Sequence, residues 1–152
     1  MRKLAPEVSQ GLVELGAKAH EVATLEPLLI ELIKMRASQL NNCAFCLDMH
    51  YKDARALGET EERLYMLAAW REASRLYSER EQAALALTEA VTVLTDGFVP
   101  DEVYEQAAKV FDDTELATVI WQIAIINTWN RVNVTARTPF GAYRSTKQPI
   151  GS

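Results

Sequence analysis

Apolar residues recur at intervals of three and four along most of this chain, the period of one face of an α-helix. The first run is Val8, Leu12, Leu15 and Ala19, opened by Pro6 at a place suited to a first helical turn. Glu26-Pro27 opens a second run with Leu28, Leu29, Leu32, Ile33 and Met35, which Asn41-Asn42 breaks. A third helix is expected over residues 44–57, with Gly58 as its C′ residue. Thr60 caps a short fourth helix that carries Glu61 and Glu62 in its first turn and runs to about Trp70. Ser78-Glu79-Arg80-Glu81 reads as a capping box for a fifth, continuing to about Thr95 and ending before Asp96-Gly97. Pro100-Asp101 begins a sixth, with Val103, Tyr104, Ala107 and Val110-Phe111 as apolar positions.

The last helix starts at Asp112-Asp113-Thr114-Glu115 and reaches about Ala136. It is apolar almost all round, from Leu116 through Val119, Ile120, Trp121 and Ile123 to Trp129. Such a helix belongs at the centre of the domain or under another subunit. Asn127, Asn130 and Arg131 interrupt it; buried polar groups need partners, so they are expected to form a structural network or an interface. Trp70 and Trp121 are expected to pack, and Arg71 to pair with Glu72 or a neighbouring subunit. No segment alternates like a strand. The expected architecture is all-α, a single-domain bundle of about six or seven helices over residues 1–137. An irregular tail follows over residues 138–152, where Pro139, Gly141, Pro149 and Gly151 fall.

Composition narrows the classes. The 152 residues fit one domain, 49% hydrophobic and 24% charged, as in soluble globular proteins. A net charge of -5 argues against nucleic acid or an anionic membrane as a general partner. Met1-Arg2-Lys3 is basic but no apolar run follows it, and Leu116 to Trp129 is too short to span a bilayer, so the cytoplasm is the expected location. In that compartment a pair of cysteines reads as redox or metal chemistry rather than a staple.

The candidate chemistry lies in one stretch, Glu31 to His50. It holds both cysteines, Cys43 and Cys46, and His50, one of two histidines; the other, His20, is expected as a helix-end residue. On a helix over residues 44–57, Cys46 and His50 stand at i and i+4 on one face. Cys43 falls at or just before the first turn, where unpaired N–H groups favour a negative charge such as a thiolate. Arg36 is a further candidate cation. Glu31 shares a face with Ser38 that can fold back over the cysteines, where a carboxylate can take a thiol proton directly or through water. Zinc on Cys43, Cys46 and His50 would need a further ligand, and His20 and Glu31 stand in no recognised zinc spacing. A c-type haem site would need His where Leu47 stands. No metal or cofactor is expected.

Glu31-x11-Cys43-x2-Cys46-x3-His50, with Arg36-x-Ser38-x-x-Asn41 between, resembles the core of the alkylhydroperoxidase D and carboxymuconolactone decarboxylase superfamily. The likeness is close over residues 26–70 and looser through Trp70-Arg71-Glu72 and Asn127 to Asn133. The resemblance implies reduction of a hydroperoxide by the Cys-x-x-Cys pair, with lipoamide or a thioredoxin-like protein as external dithiol reductant. Carried over by residue, Cys46 is the peroxidatic thiolate and Cys43 the resolving thiol, the easier one for a reductant to reach. Glu31 is the proton acceptor, and His50 steadies the thiolate and protonates the leaving alkoxide. It also implies a homo-oligomer, a trimer or hexamer. The chain departs from the pattern in being a single short unit and in having Phe45 where some members have His. Decarboxylation of a small lactone acid and a non-catalytic redox-sensing subunit are the alternatives.

Overall fold

A computed structural model of the chain describes residues 5–94 and 98–151. Among these residues there are seven α-helices and no strand: α1 Pro6–Val22, α2 Pro27–Leu40, α3 Ala44–Leu57, α4 Glu61–Met66, α5 Glu79–Thr92, α6 Asp101–Val110 and α7 Asp113–Thr135. The all-α reading of the sequence holds. Two short 3₁₀ turns, Leu67–Ala69 and Ser74–Leu76, take the place of the expected end of the fourth helix. The expected terminator of the fifth helix, Asp96-Gly97, and the basic Met1-Arg2-Lys3 lie outside the described residues.

Local signals set most of these ends. Pro6 and Pro27 occupy first turns, where their missing N–H costs nothing. The Ser78 hydroxyl accepts from Glu81 N while the Glu81 carboxylate accepts from Ser78 N, and Asp112 and Glu115 repeat the arrangement at α7. Gly58 ends α3 at φ 106°, a left-handed value that a Cβ would resist.

The middle of the bundle belongs to α2. Leu32, Ile33 and Met35 have no exposed surface, and α2 packs against α3, α5 and α7 at once. Truncating Ile33 to Ala there would cost about 3 kcal/mol through lost burial and the cavity left behind. On one side Leu29 and Ile33 meet Ala84 and Leu87 of α5 and Val119 and Ile123 of α7. On another, Leu32 and Met35 meet Leu67, Trp70 and Tyr77.

Three expectations change. α7 turns Val119, Ile123 and Ile126 inward but leaves Trp121 54% exposed, so it is a flank of the bundle and Trp121 is not a packing residue within this chain. The stripe expected on α1 is wrong in part: Val8 and Leu15 are exposed and Ala19 is buried, because the helix leans on α7 through a face one position away. Arg71 pairs with Glu89 rather than Glu72, at 2.5 Å, beside the Trp70 indole N–H and Arg36, which bind the same carboxylate. The three donors hold the Glu89 carboxyl below its ordinary range against the opposing effect of burial.

Residues 138–151 form no helix or strand and run along α3. Lys52 Nζ donates to the Tyr143 carbonyl at 3.2 Å, Gly141 N to Asp48 at 3.1 Å, and Ile150 N to the Leu57 carbonyl at 3.3 Å. No helix among the described residues is long and apolar enough to cross a membrane.

Candidate functional site

The turn Asn41-Asn42 lets the chain reverse between α2 and α3, with Asn42 at φ 53°, a value Asn tolerates better than most residues. The reversal is held by Cys43 N donating to the Ser38 carbonyl at 3.0 Å. Cys43 is thereby the N-cap of α3, and its sulfur accepts from Cys46 N at 3.4 Å. Cys46 sits in the first turn, and the two sulfurs are joined as a disulfide with Cα atoms 5.3 Å apart. Both cysteines are buried, Cys43 at 1% exposure and Cys46 at 0%, so the greater accessibility expected of Cys43 is not present in this oxidised form.

The four residues singled out from the sequence form two linked pairs. One is the disulfide. The other is His50 Nδ1 with Glu31 Oε2, 2.7 Å apart and both buried. Glu31 Oε1 faces Lys34 Nζ at 3.6 Å, so both carboxylate oxygens are engaged. Burial by itself would raise the Glu31 carboxyl, but the His50 hydrogen bond and Lys34 hold it below its ordinary value. An ionised Glu31 accepts from Nδ1–H and leaves His50 Nε2 as the free ring nitrogen. That atom is buried and has no hydrogen-bond partner.

The expected cation Arg36 is committed elsewhere, to Glu89 and Gln39. Ser38 does join two helices: its hydroxyl donates to the Lys34 carbonyl at 2.7 Å and accepts from Asn130 Nδ2 at 2.9 Å. Asn41 Nδ2 lies between the side-chain oxygens of Asn127 and Asn130, at 2.9 and 3.0 Å. Arg131 donates to Asn127 Oδ1 at 2.8 Å, so the polar trio of α7 is a network that fastens the α2–α3 turn. Asn127 Nδ2 adds a bond to Thr92 of α5.

Sequence reasoning missed three neighbours. Asn133 Nδ2 lies 3.6 Å from Cys46 Sγ. Asp53 is buried one turn beyond His50 and accepts from the Tyr143 hydroxyl at 2.8 Å; burial and that carboxylate push Tyr143 up to about 12. The i+7 spacing of Asp53 from Cys46 was the available signal for it. Asn133 and Tyr143 are far from the motif in sequence and gave none. Donor atoms of Glu31, His50 and Asp53 lie within 4.8 Å of one another, and both Glu31 oxygens are already engaged, by His50 Nδ1 and by Lys34.

A cleft of about 290 Å³ opens beside Cys46 and His50, between α1, α3 and α7. Leu12, Val13, Ile125, Ile126, Trp129 and Phe45 make it largely apolar. His20 lines it too, and burial together with Lys34 and Lys147 lowers the pKa of that ring. A smaller hollow of about 180 Å³, bounded by Asn42, Phe45, Arg137 and Thr138, reaches Cys43 instead. Asn133 and Phe45 line both. The disulfide thus has a different cavity on each sulfur.

Comparison with known proteins follows the same lines. Residues 6–90 match the model of the carboxymuconolactone decarboxylase family. The uncharacterized Bacillus subtilis protein YdfG is 40% identical over 132 residues, covering 87% of this chain and 88% of its own length. The uncharacterized Escherichia coli protein YnjA is 30% identical over 115 residues, 76% of this chain and 62% of that one. A crystal structure from Agrobacterium tumefaciens, of a protein of unknown function described as a candidate AhpD antioxidant defence protein, is similar at a TM-score of 0.87 and 37% identity. The match covers 93% of this chain and 96% of that one. A debrominase solved in its apo form has a TM-score of 0.80 over 92% of this chain and 74% of its own, at 19% identity, a likeness of fold alone.

Proposed function

The chain belongs to the carboxymuconolactone decarboxylase family, in its alkylhydroperoxidase D-like form, and we propose that it is a thiol-dependent hydroperoxide reductase. The observation that carries this reading is a buried Cys43–Cys46 disulfide whose second sulfur shares a cleft with a Glu31-oriented His50. Decarboxylation requires no redox pair beside the cleft, so this arrangement favours thiol chemistry.

In the reduced protein the Cys46 thiolate attacks the terminal oxygen of R–O–O–H. A sulfur–oxygen bond forms, the oxygen–oxygen bond breaks, and Cys46 becomes a sulfenic acid while alkoxide leaves. His50 Nε2 takes the thiol proton beforehand and returns it to the alkoxide, which departs as alcohol. Both Glu31 oxygens are engaged while His50 Nε2 is unpaired beside the cleft, so this reading gives the proton to His50 and has Glu31 fix the ring and its tautomer. Asn133 N–H faces the sulfur and favours its anionic form. Cys43 then attacks the Cys46 sulfur, the disulfide forms and water is released. An external dithiol of the lipoamide or thioredoxin kind reduces the disulfide and is itself oxidised. The hollow lined by Cys43 lies on that side of the disulfide, and the buried sulfur has to be uncovered before the reductant reaches it.

Thiol titration tests the reading. The reduced protein is expected to lose two thiols for each hydroperoxide consumed, and a dithiol donor to restore them. Hydroperoxide left intact, with both thiols still titratable, would reject it.

A further inference from the structure

Among the described residues, three buried polar side-chain atoms lack a hydrogen-bond partner, and two of them belong to residues lining the Cys46 cleft. One is His50 Nε2, which the mechanism uses. The other is Nε2 of Gln122, whose side chain is 1% exposed. An unpaired buried amide N–H is costly, so one beside a cavity calls for a partner. Nothing in the reduction chemistry needs this amide.

Its position says what it can bind. Gln122, Ile125, Ile126, Trp129 and Asn133 form one stripe of α7 along the cleft. Asn133 stands at the Cys46 sulfur. Gln122 lies eleven positions earlier (133 minus 122), which is roughly 16 Å along the axis at ~1.5 Å per residue. The wall between them is apolar, and its volume of about 290 Å³ lies at the small end of ligand sites. Lys34 is the lining residue with a fixed positive charge, and it is held 3.6 Å from Glu31. A carboxylate at the Gln122 end would lose its water without gaining a cation.

We propose that the cleft binds an elongated, largely apolar hydroperoxide carrying a neutral acceptor, an ester or ketone carbonyl, at the end remote from the peroxide, and that Gln122 Nε2 donates to that carbonyl. This rests on the hydroperoxide reading of Cys46. The O–O–H end lies at Cys46 and His50, the chain runs along Ile125, Ile126 and Trp129, and the carbonyl closes the unfilled bond of Gln122.

The test uses the full-length oxidised protein and tryptophan fluorescence, since Trp129 lines the cleft. Three unreactive probes of equal chain length are titrated: the methyl ester of a medium-chain ω-hydroxy fatty acid, its free acid, and the plain alkanol. The ester is expected to bind about tenfold tighter than the alkanol, the increment of one buried hydrogen bond, and the acid no tighter than the alkanol. Gln122→Met, close in shape but without a donor, is expected to bring the ester down to the alkanol's affinity. Equal binding of ester and alkanol by the wild type overturns the proposal, as does an ester preference that survives Gln122→Met or an acid that binds as well as the ester. None of these probes has an O–O bond. If the expected pattern appears but the matching ω-hydroperoxy ester is not reduced, it is the peroxidase reading that falls.

Discussion

The Nδ1 atom of His50 lies 2.7 Å from Oε2 of Glu31, across nineteen residues of sequence and wholly inside the bundle. This contact orders the proton chemistry proposed for the site. Glu31→Gln keeps the shape and removes the charge that selects the Nδ1–H tautomer. Hydroperoxide reduction is expected to fall by about 10- to 100-fold, with the folded state retained. Unchanged turnover across the pH range would show that Glu31 does not orient His50 for catalysis.

The same contact has a signature in stability. The Glu31 carboxyl is held below its ordinary value of 4.5, burial opposing and His50 and Lys34 prevailing. A depressed folded-state value means that the stabilisation is complete above the unfolded carboxyl's pKa and is lost as pH falls through the folded one. The urea midpoint is therefore expected to drop on acidification below about 4.5. Glu31→Gln removes part of that acid-side slope. A variant profile that follows the wild type at every pH would contradict the sign.

Asn130 is fully buried, donating to Ser38 and accepting from Asn41. Asn130→Leu leaves the Asn41 amide with Asn127 Oδ1 alone and takes the donor from the Ser38 hydroxyl, and is expected to cost about 2 kcal/mol, read as a lower urea midpoint at unchanged m-value. A change within 0.5 kcal/mol, the range of ordinary surface substitutions, would mean the network does not fasten the turn.

Much of this arrangement was legible in the sequence, for local reasons. The bounds of α3 followed from Asn41-Asn42 and Gly58, and the capping box at Ser78 and the acidic run from Asp112 marked two helix starts, because each depends on residues three or four apart. Glu31, Cys43, Cys46 and His50 stood out by spacing. Asn133 and Tyr143 did not, since their approach to Cys46 and Asp53 depends on how α7 and the tail pack back onto α3. Trp121 was misplaced because an all-apolar helix looks alike whether its last face meets its own chain or another.

The outward side of α7, which leaves Trp121 54% exposed, supports a prediction of assembly. We expect a closed homo-oligomer in solution, a trimer or hexamer, weakened by Trp121→Glu. Sedimentation of only a 17.0 kDa species at micromolar concentration would contradict it.

Asn133 faces Cys46 Sγ at 3.6 Å. Asn133→Asp replaces a donor by a carboxylate and disfavours the thiolate. Alkylation of the reduced protein at Cys46 is expected to slow at neutral pH, with its pH profile displaced to higher values. A displacement to lower pH, or none, would remove Asn133 from the thiolate's surroundings.

The most direct measurement separates the two sulfurs. Reduced Cys43→Ser and Cys46→Ser proteins are each given one equivalent of hydroperoxide in the presence of a dimedone-type trap, and the adduct is located by mass spectrometry. Cys43→Ser is expected to consume about one equivalent and carry a sulfenic adduct on Cys46, since no resolving thiol remains to attack it. Cys46→Ser is expected to react at no useful rate. An adduct on Cys43 in Cys46→Ser, with none on Cys46 in the other variant, would reverse the roles. Adducts on neither, with both thiols free in the peroxide-treated wild type, would contradict peroxide reduction at this site.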